Sequence, residues 1–199
     1  MNIGIDFDNT IVDYTGVFYR VAVELGWIPT SVRSDKTSVR DYLRQEGHED
    51  RWIELQGLVY GPHIFCAQPF PGITSFLTLC QLKRINAFII SHKTRHPFLG
   101  ESHDLHTYAL KWLEKNGFFA SEGGMSPQNV FLELTKEEKL SRITQLGCEY
   151  FVDDLPEFLM DPLFPSHVKR VLFDPHSQHK VGSDCQRILS WEALVRLLS

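Results

Sequence analysis

Short apolar runs in this sequence stop abruptly at polar, chemistry-bearing residues, and that pattern constrains the fold more than any other feature. Ile3-Gly4-Ile5 ends in Asp6, Ala87-Phe88-Ile89-Ile90 ends in Ser91, and Tyr150-Phe151-Val152 ends in Asp153-Asp154. Runs this short suit strands buried on both faces, with their carboxyl ends meeting solvent. Val130-Phe131-Leu132 and Val171-Leu172-Phe173 bring the expected total to about five strands. Helical spacings lie between them. Ile73, Phe76, Leu77 and Cys80 share one face, as do Leu105, Tyr108, Ala109, Trp112 and Leu113, and then Leu140, Ile143 and Leu146. Thr135 and Glu138 fit a capping box, Gly117 and Gly147 fit helix stops, and Ser190 caps a last helix carrying Trp191, Leu194 and Leu198. This alternation predicts an α/β chain with a Rossmann-like, doubly wound parallel sheet. Ligands of such sheets bind at the carboxyl ends of the strands.

One segment breaks the alternation. Val17, Phe18, Val21 and Leu25 form a helical face that stops at Gly26. Residues 27–68 hold Pro29, Pro62, many charges and two weaker helical patterns near 37–46 and 49–58. Pro69-Phe70-Pro71-Gly72 then marks the return to the main pattern. The expected organisation is a core of residues 1–13 and 69–199, with a small helical insert over 14–68 after the first strand.

Composition removes several functional classes. The chain has 199 residues, a size for one domain or one domain with a small insert. Lys and Arg total 20 against 25 for Asp and Glu, so the formal charge is −5, the wrong balance for a nucleic-acid binder that tracks phosphates. No apolar run approaches the roughly 18 residues needed to cross a membrane. Asp6 and Asp8 fall where a signal peptide needs its apolar run. Cys66, Cys80, Cys148 and Cys185 are widely spaced, without a CxxC pair, so reduced and mostly buried thiols are expected. These features together predict a cytoplasmic protein. Nine His without an HExxH or HxH pattern give no His-ligated transition metal.

The chemistry lies in the polar residues that end the strands. Asp6-Phe7-Asp8-Asn9-Thr10 sets two carboxylates two residues apart with a hydroxyl beyond, a spacing that composition rarely yields. Clustered carboxylates repel in a partly dry site and need a cation, and Mg²⁺ suits one or two carboxylates plus water and phosphate oxygens. A phosphoryl group would then need donors. Ser91 supplies a hydroxyl, and either Lys136 or Lys139, both in the first turn of the expected helix, supplies an ammonium despite the unfavourable dipole there. The basic loop His92-Lys93-Thr94-Arg95-His96 follows Ser91 directly and adds further candidates.

The ordered set Asp6-Phe7-Asp8-Asn9-Thr10, Ile89-Ile90-Ser91, a lysine, and Phe151-Val152-Asp153-Asp154 resembles the four motifs of the haloacid dehalogenase-like (HAD) superfamily. The spacing of Lys139 before Asp153 resembles members that end in a double Asp, which selects Lys139 over Lys136. The resemblance implies that Asp6 is a nucleophile forming an aspartyl-phosphate. Asp8 would protonate the leaving oxygen and then deprotonate water. Thr10 would stabilise the turn that positions Asp8. Asn9, Thr10, Ser91, His92 and Lys139 would line the phosphoryl group. Mg²⁺ would sit on Asp6, Asp8 and Asp153, with Asp154 in or beside its shell, and Glu157 falls where some members carry a further acid. An acid at position 8 is kept by phosphatases and phosphomutases, because an alkoxide leaving group must be protonated, and is absent from dehalogenases. The insert resembles the helical cap that closes such sites. The implied activity is hydrolysis of a small soluble phosphorylated metabolite, a sugar phosphate or nucleotide, by a monomer or homodimer. The alternatives are a phosphomutase or phosphotransferase with the same motifs, or a non-catalytic phospho-receiver or regulatory module.

Overall fold

The computed structural model describes residues 1–120, 124–180, 182 and 184–198. Contacts divide the chain into two compact units. One comprises Met1–Val12, Pro69–Lys93 and Glu114–Ser199, the other Asp13–Gln68 and Thr94–Leu113.

In chain order the elements are β1 (Asn2–Ile5), β2 (Val12–Asp13), α1 (Val17–Glu24), α2 (Lys36–Gln45), α3 (Glu49–Tyr60), β3 (Gln68–Pro69), α4 (Ile73–Leu82), β4 (Asn86–His92), α5 (Leu105–Lys115), β5 (Val130–Glu133), α6 (Lys136–Gln145), β6 (Tyr150–Asp153), α7 (Pro156–Leu159), β7 (Lys169–Phe173), β8 (Cys185–Ile188) and α8 (Trp191–Leu197). Short 3₁₀ turns at Pro62–Cys66 and Pro127–Asn129 complete the list.

The first unit is a six-stranded sheet in the order β5-β4-β1-β6-β7-β8. Every pair in it is parallel. Helices cover both faces, and the chain has the expected α/β, Rossmann-like architecture. The sheet has one strand more than the sequence suggests. β8 reads Cys-Gln-Arg-Ile with only its end residues buried, so its apolar signal is weak. Register decides where the polar strand ends fall. Ile5 lies opposite Ile89 on one side and Val152 on the other. Asp6 and Asp153, the next residues of their strands, and Ser91, two residues past Ile89, therefore emerge near one edge of the sheet. Gly4 is required in the middle of β1, because a Cβ there would sit 2.5 Å from the Phe151 ring.

Aromatic packing fixes the helices on this sheet. Phe151, Phe158 and Phe164 form a mutual trio with centroids 5.8–6.2 Å apart. On another part of the unit, Trp191 of α8 stacks on Phe173 at 5.4 Å and meets Phe76 of α4 at 5.1 Å. Burying such side chains stabilises by roughly 1.5–3 kcal/mol each.

The second unit is helical. Asp35 caps α2, accepting from the Ser38 amide at 2.8 Å. Tyr14, Phe18, Trp52 and Tyr60 pack together, with the Lys36 ammonium 5.0 Å from the Phe18 ring. The sequence reading leaves residues 94–113 with the sheet, but packing groups them here. Pro97 occupies the space over Gly57, where a Cβ would meet it at 2.6 Å, and Trp112 Nε1 donates to the Ala67 carbonyl at 3.1 Å. Among the described residues no helix is long and apolar enough to cross a membrane.

Candidate active site

α6 begins where its sequence demands. The Thr135 hydroxyl accepts from the Glu138 amide at 3.1 Å, and the Glu138 carboxylate accepts from the Thr135 amide at 3.1 Å. This box satisfies two of the orphan N–H groups and fixes the rotation of the helix. Lys139, Leu140 and Ile143 consequently face inward. Lys136, one turn earlier, points out and pairs with Asp161 at 2.6 Å.

Lys139 is 3 % exposed and has two acidic partners. Its Nζ donates to Asp6 Oδ1 at 2.6 Å and to Asp153 Oδ2 at 2.7 Å. The Phe158 ring centroid lies 4.0 Å from the same ammonium. Ser91 Oγ also donates to Asp6 Oδ1, at 3.0 Å. Asp153 is anchored from behind, its Oδ1 accepting from the Leu155 amide at 2.9 Å. Asp6 is held by its own backbone, whose N–H extends the β1–β6 ladder to the Val152 carbonyl at 2.8 Å.

Electrostatics at this corner are unbalanced. The Asp6 carboxyl is held up at about 7: burial raises it most, Lys139 offsets part of that rise, and the charges of Asp153 and Asp8 add to it. Burial by itself would lower the Lys139 ammonium; Asp153 and Asp6 reverse that and hold it above the ordinary lysine range. Two buried carboxylates share one ammonium, which leaves an excess of negative charge. Asp154 adds to it, since carboxylate oxygens of Asp6, Asp153 and Asp154 all lie within 4.8 Å of one another. An all-oxygen, anion-rich set of this kind fits a hard divalent cation such as Mg²⁺.

The loop after β1 turns tightly. The Ile11 and Val12 amides both donate to the Phe7 carbonyl, at 3.0 and 3.1 Å. Asn9 takes φ 57°, a left-handed conformation that Asn tolerates better than most residues. Thr10 is fully buried, with its hydroxyl 3.5 Å from Asp154 Oδ1, at the outer limit of a hydrogen bond. Asp8 is partly exposed, and both its oxygens accept from Lys93 Nζ, at 3.1 and 2.8 Å.

Of the residues singled out from sequence, Asp6, Ser91, Lys139, Asp153 and Asp154 come together, with Thr10 and Asp8 beside them. His92 does not join them. β4 continues to His92, and alternation along the strand turns His92 outward while Ser91 and Lys93 turn in. Glu157 is exposed in the first turn of α7. Lys93, one of several basic residues in its loop by sequence, is the one that reaches the cluster. The signal that marks it is its position two residues past Ser91, on the same side of an extended chain.

No family model matches the sequence, and no match is found among curated proteins. Solved structures do match over the full length. YfnB of Bacillus subtilis, assigned as a HAD-hydrolase and crystallised with magnesium, is 14 % identical with a TM-score of 0.58, over 100 % of this chain and 98 % of that one. A protein assigned as a β-phosphoglucomutase from Thermotoga maritima is 14 % identical with a TM-score of 0.58, over 99 % and 97 %. The chain has the haloacid dehalogenase-like fold. A phosphoserine phosphohydrolase-like protein from Francisella tularensis shares that HAD-like fold at 12 % identity and a TM-score of 0.57, over 100 % and 99 %.

Proposed function

We propose that this chain is a Mg²⁺-dependent phosphate-monoester hydrolase that works through an aspartyl-phosphate on Asp6, acting on a small phosphorylated metabolite such as a sugar phosphate or nucleotide. One observation carries the reading. A buried carboxylate, Asp6, receives Lys139 and Ser91 on a single oxygen, Oδ1, at the carboxyl edge of a parallel sheet. That arrangement restrains Asp6, directs its other oxygen away from the donors, and keeps a hydroxyl and an ammonium beside the position of an incoming phosphoryl group.

Asp6, Asp153 and Asp154 would hold the ion. When bound, it supplies positive charge for the phosphoryl oxygens and relieves the carboxylate crowding. In the first step Asp6 attacks phosphorus, and the ester P–O bond breaks with its electron pair on the leaving oxygen. Asp8 gives that oxygen its proton. In the second step water attacks the same phosphorus while Asp8 takes its proton, the Asp6–P bond breaks, and inorganic phosphate leaves. The acid at position 8 favours an alkoxide leaving group over a halide, which needs no proton. The magnesium in the YfnB crystal and the phosphoserine phosphohydrolase-like neighbour accord with this chemistry.

The test is hydrolysis of p-nitrophenyl phosphate with Mg²⁺ and with EDTA. Activity is expected only with the metal, and Asp6→Asn is expected to abolish it. Equal rates under both conditions, or full activity in Asp6→Asn, would overturn the reading. Isomerised sugar phosphate without phosphate release would move it to a mutase.

A further inference from the structure

Lys93 is an unusual residue to find buried beside an acid/base candidate. It lies just beyond β4 and is 4 % exposed. Its amide donates to the Glu133 carbonyl at 2.8 Å, which carries the β4–β5 pairing one residue past the strand. That bond holds the backbone extended, so Lys93 points to the same side as Ser91. Its ammonium lies over Phe7, 5.5 Å from the ring centroid. The ammonium then meets both oxygens of Asp8, at 3.1 and 2.8 Å. Contact with one oxygen leaves a carboxylate free to rotate about its last bond; contact with both fixes its plane. The Asp8 side chain is itself only partly covered, at 20 % exposure, and the fully buried charge is the lysine. A long side chain has been withdrawn from water to restrain a carboxylate that remains open to it.

We infer that Lys93 is a positioning residue for Asp8: it sets the carboxylate in the orientation from which a proton is passed to the leaving oxygen, the part that a third group plays for a general base elsewhere. The inference rests on the hydrolase reading above and goes beyond it, since Lys93 and Lys139 then have separate tasks. Lys139 serves the nucleophile, and Lys93 serves the acid. A lysine that bound the phosphoryl group directly would affect all substrates alike. A lysine that orients the acid matters most where the leaving oxygen most needs a proton.

The experiment uses the Mg²⁺-loaded protein and a series of aryl phosphates with leaving groups of rising basicity: p-nitrophenyl, phenyl and p-methoxyphenyl phosphate. kcat/KM reports the phosphoryl-transfer step for each. Lys93→Met, which keeps the stem, is expected to stay within about threefold of wild type for p-nitrophenyl phosphate and to lose about a hundredfold for p-methoxyphenyl phosphate. Lys93→Arg, which can still span both oxygens, is expected to keep the shallow wild-type dependence. In an Asp8→Asn background, Lys93→Met is expected to change the dependence no further. Should Lys93→Met fail to fold, Lys93→Gln carries the same comparison. An equal loss across the series, or no loss at all, overturns the inference and leaves the hydrolase reading intact. A wild type inactive on every ester overturns that reading, and the inference with it.

Discussion

At the carboxyl end of β6, Asp153 is buried as one of a charged trio with Lys139 and Asp6. Just before the amino end of the same strand, Cys148 is buried as deeply, packed with Leu140, Ile143 and Phe151. The strand and the turn leading into it thus bury two ionisable groups five residues apart on opposite terms. At the amino end burial alone acts, and it pushes the thiol up to about 11, so the group stays neutral. At the carboxyl end burial is opposed by an ammonium that the chain brings from elsewhere, Lys139 of α6, which donates to Asp153 and to Asp6 together. A protein keeps charge in its interior only where several elements converge to compensate it. That convergence is costly to build and marks a site, whereas the buried thiol marks only a core.

The sharpest way to break the contrast is to remove the shared ammonium. Lys139→Met leaves Asp6 and Asp153 buried side by side without a cation. Deleting one partner of a buried ion pair typically costs about 3–5 kcal/mol, because the remaining charge stays desolvated. Denaturant unfolding of the metal-free protein is expected to show a loss of that size, together with loss of hydrolysis. A loss within about 0.5 kcal/mol, the range of an ordinary surface change, would mean that the trio is not a coupled unit.

Mg²⁺ sharpens the contrast from the other side. An ion that binds only the folded state raises stability by about 2.7 kcal/mol when its free concentration is a hundred times its dissociation constant. For a chain of this length that is a rise of roughly 5–10 °C in Tm. The wild type is expected to gain such a shift from added Mg²⁺ and to lose it in EDTA. Asp153→Asn is expected to gain little. A full shift in Asp153→Asn would remove Asp153 from the ion's surroundings.

Both ends of β6 differ in how far sequence foretells them. The apolar run 150–152 and its double Asp are legible directly, as are the capping box at Thr135 and the inward face of α6 that follows from it. Three features were not legible. β8 is a short edge strand with polar residues at its two middle positions, and its place is set by pairing with β7. The grouping of residues 94–113 with the helical unit depends on Pro97 closing over Gly57, a tertiary contact with no local signal. The third is the contrast of His92 with Lys93. The apolar run Ala87–Ile90 understates β4, which continues to His92. Which basic residue turns inward depends on that length, because each added residue reverses the facing side. His92 is therefore exposed, and Lys93 takes the buried position.

The smallest effect belongs to the amino end. The Cys148 thiol ionises near 9 in an unfolded chain and near 11 in the folded one, because burial penalises the thiolate. A folded value above the unfolded value means that the native state holds its proton longer. The associated stability is complete below pH 9 and is lost as pH climbs from about 9 to about 11, where the unfolded chain gains by ionising first. Discounted for incomplete shielding, the loss is on the order of 1 kcal/mol. Cys80, pushed up to about 12 by burial, adds a second decline of the same sign. The measurement is urea unfolding from pH 8 upward in wild type and Cys148→Ala. The variant is less stable throughout, because a small void replaces the sulfur, so the comparison is between slopes. The alkaline decline should be shallower in Cys148→Ala by the share of one thiol, and adding Mg²⁺ should leave that difference unchanged. Parallel declines would mean that Cys148 ionises alike in both states. The amino end would then have lost the property that sets it apart from Asp153.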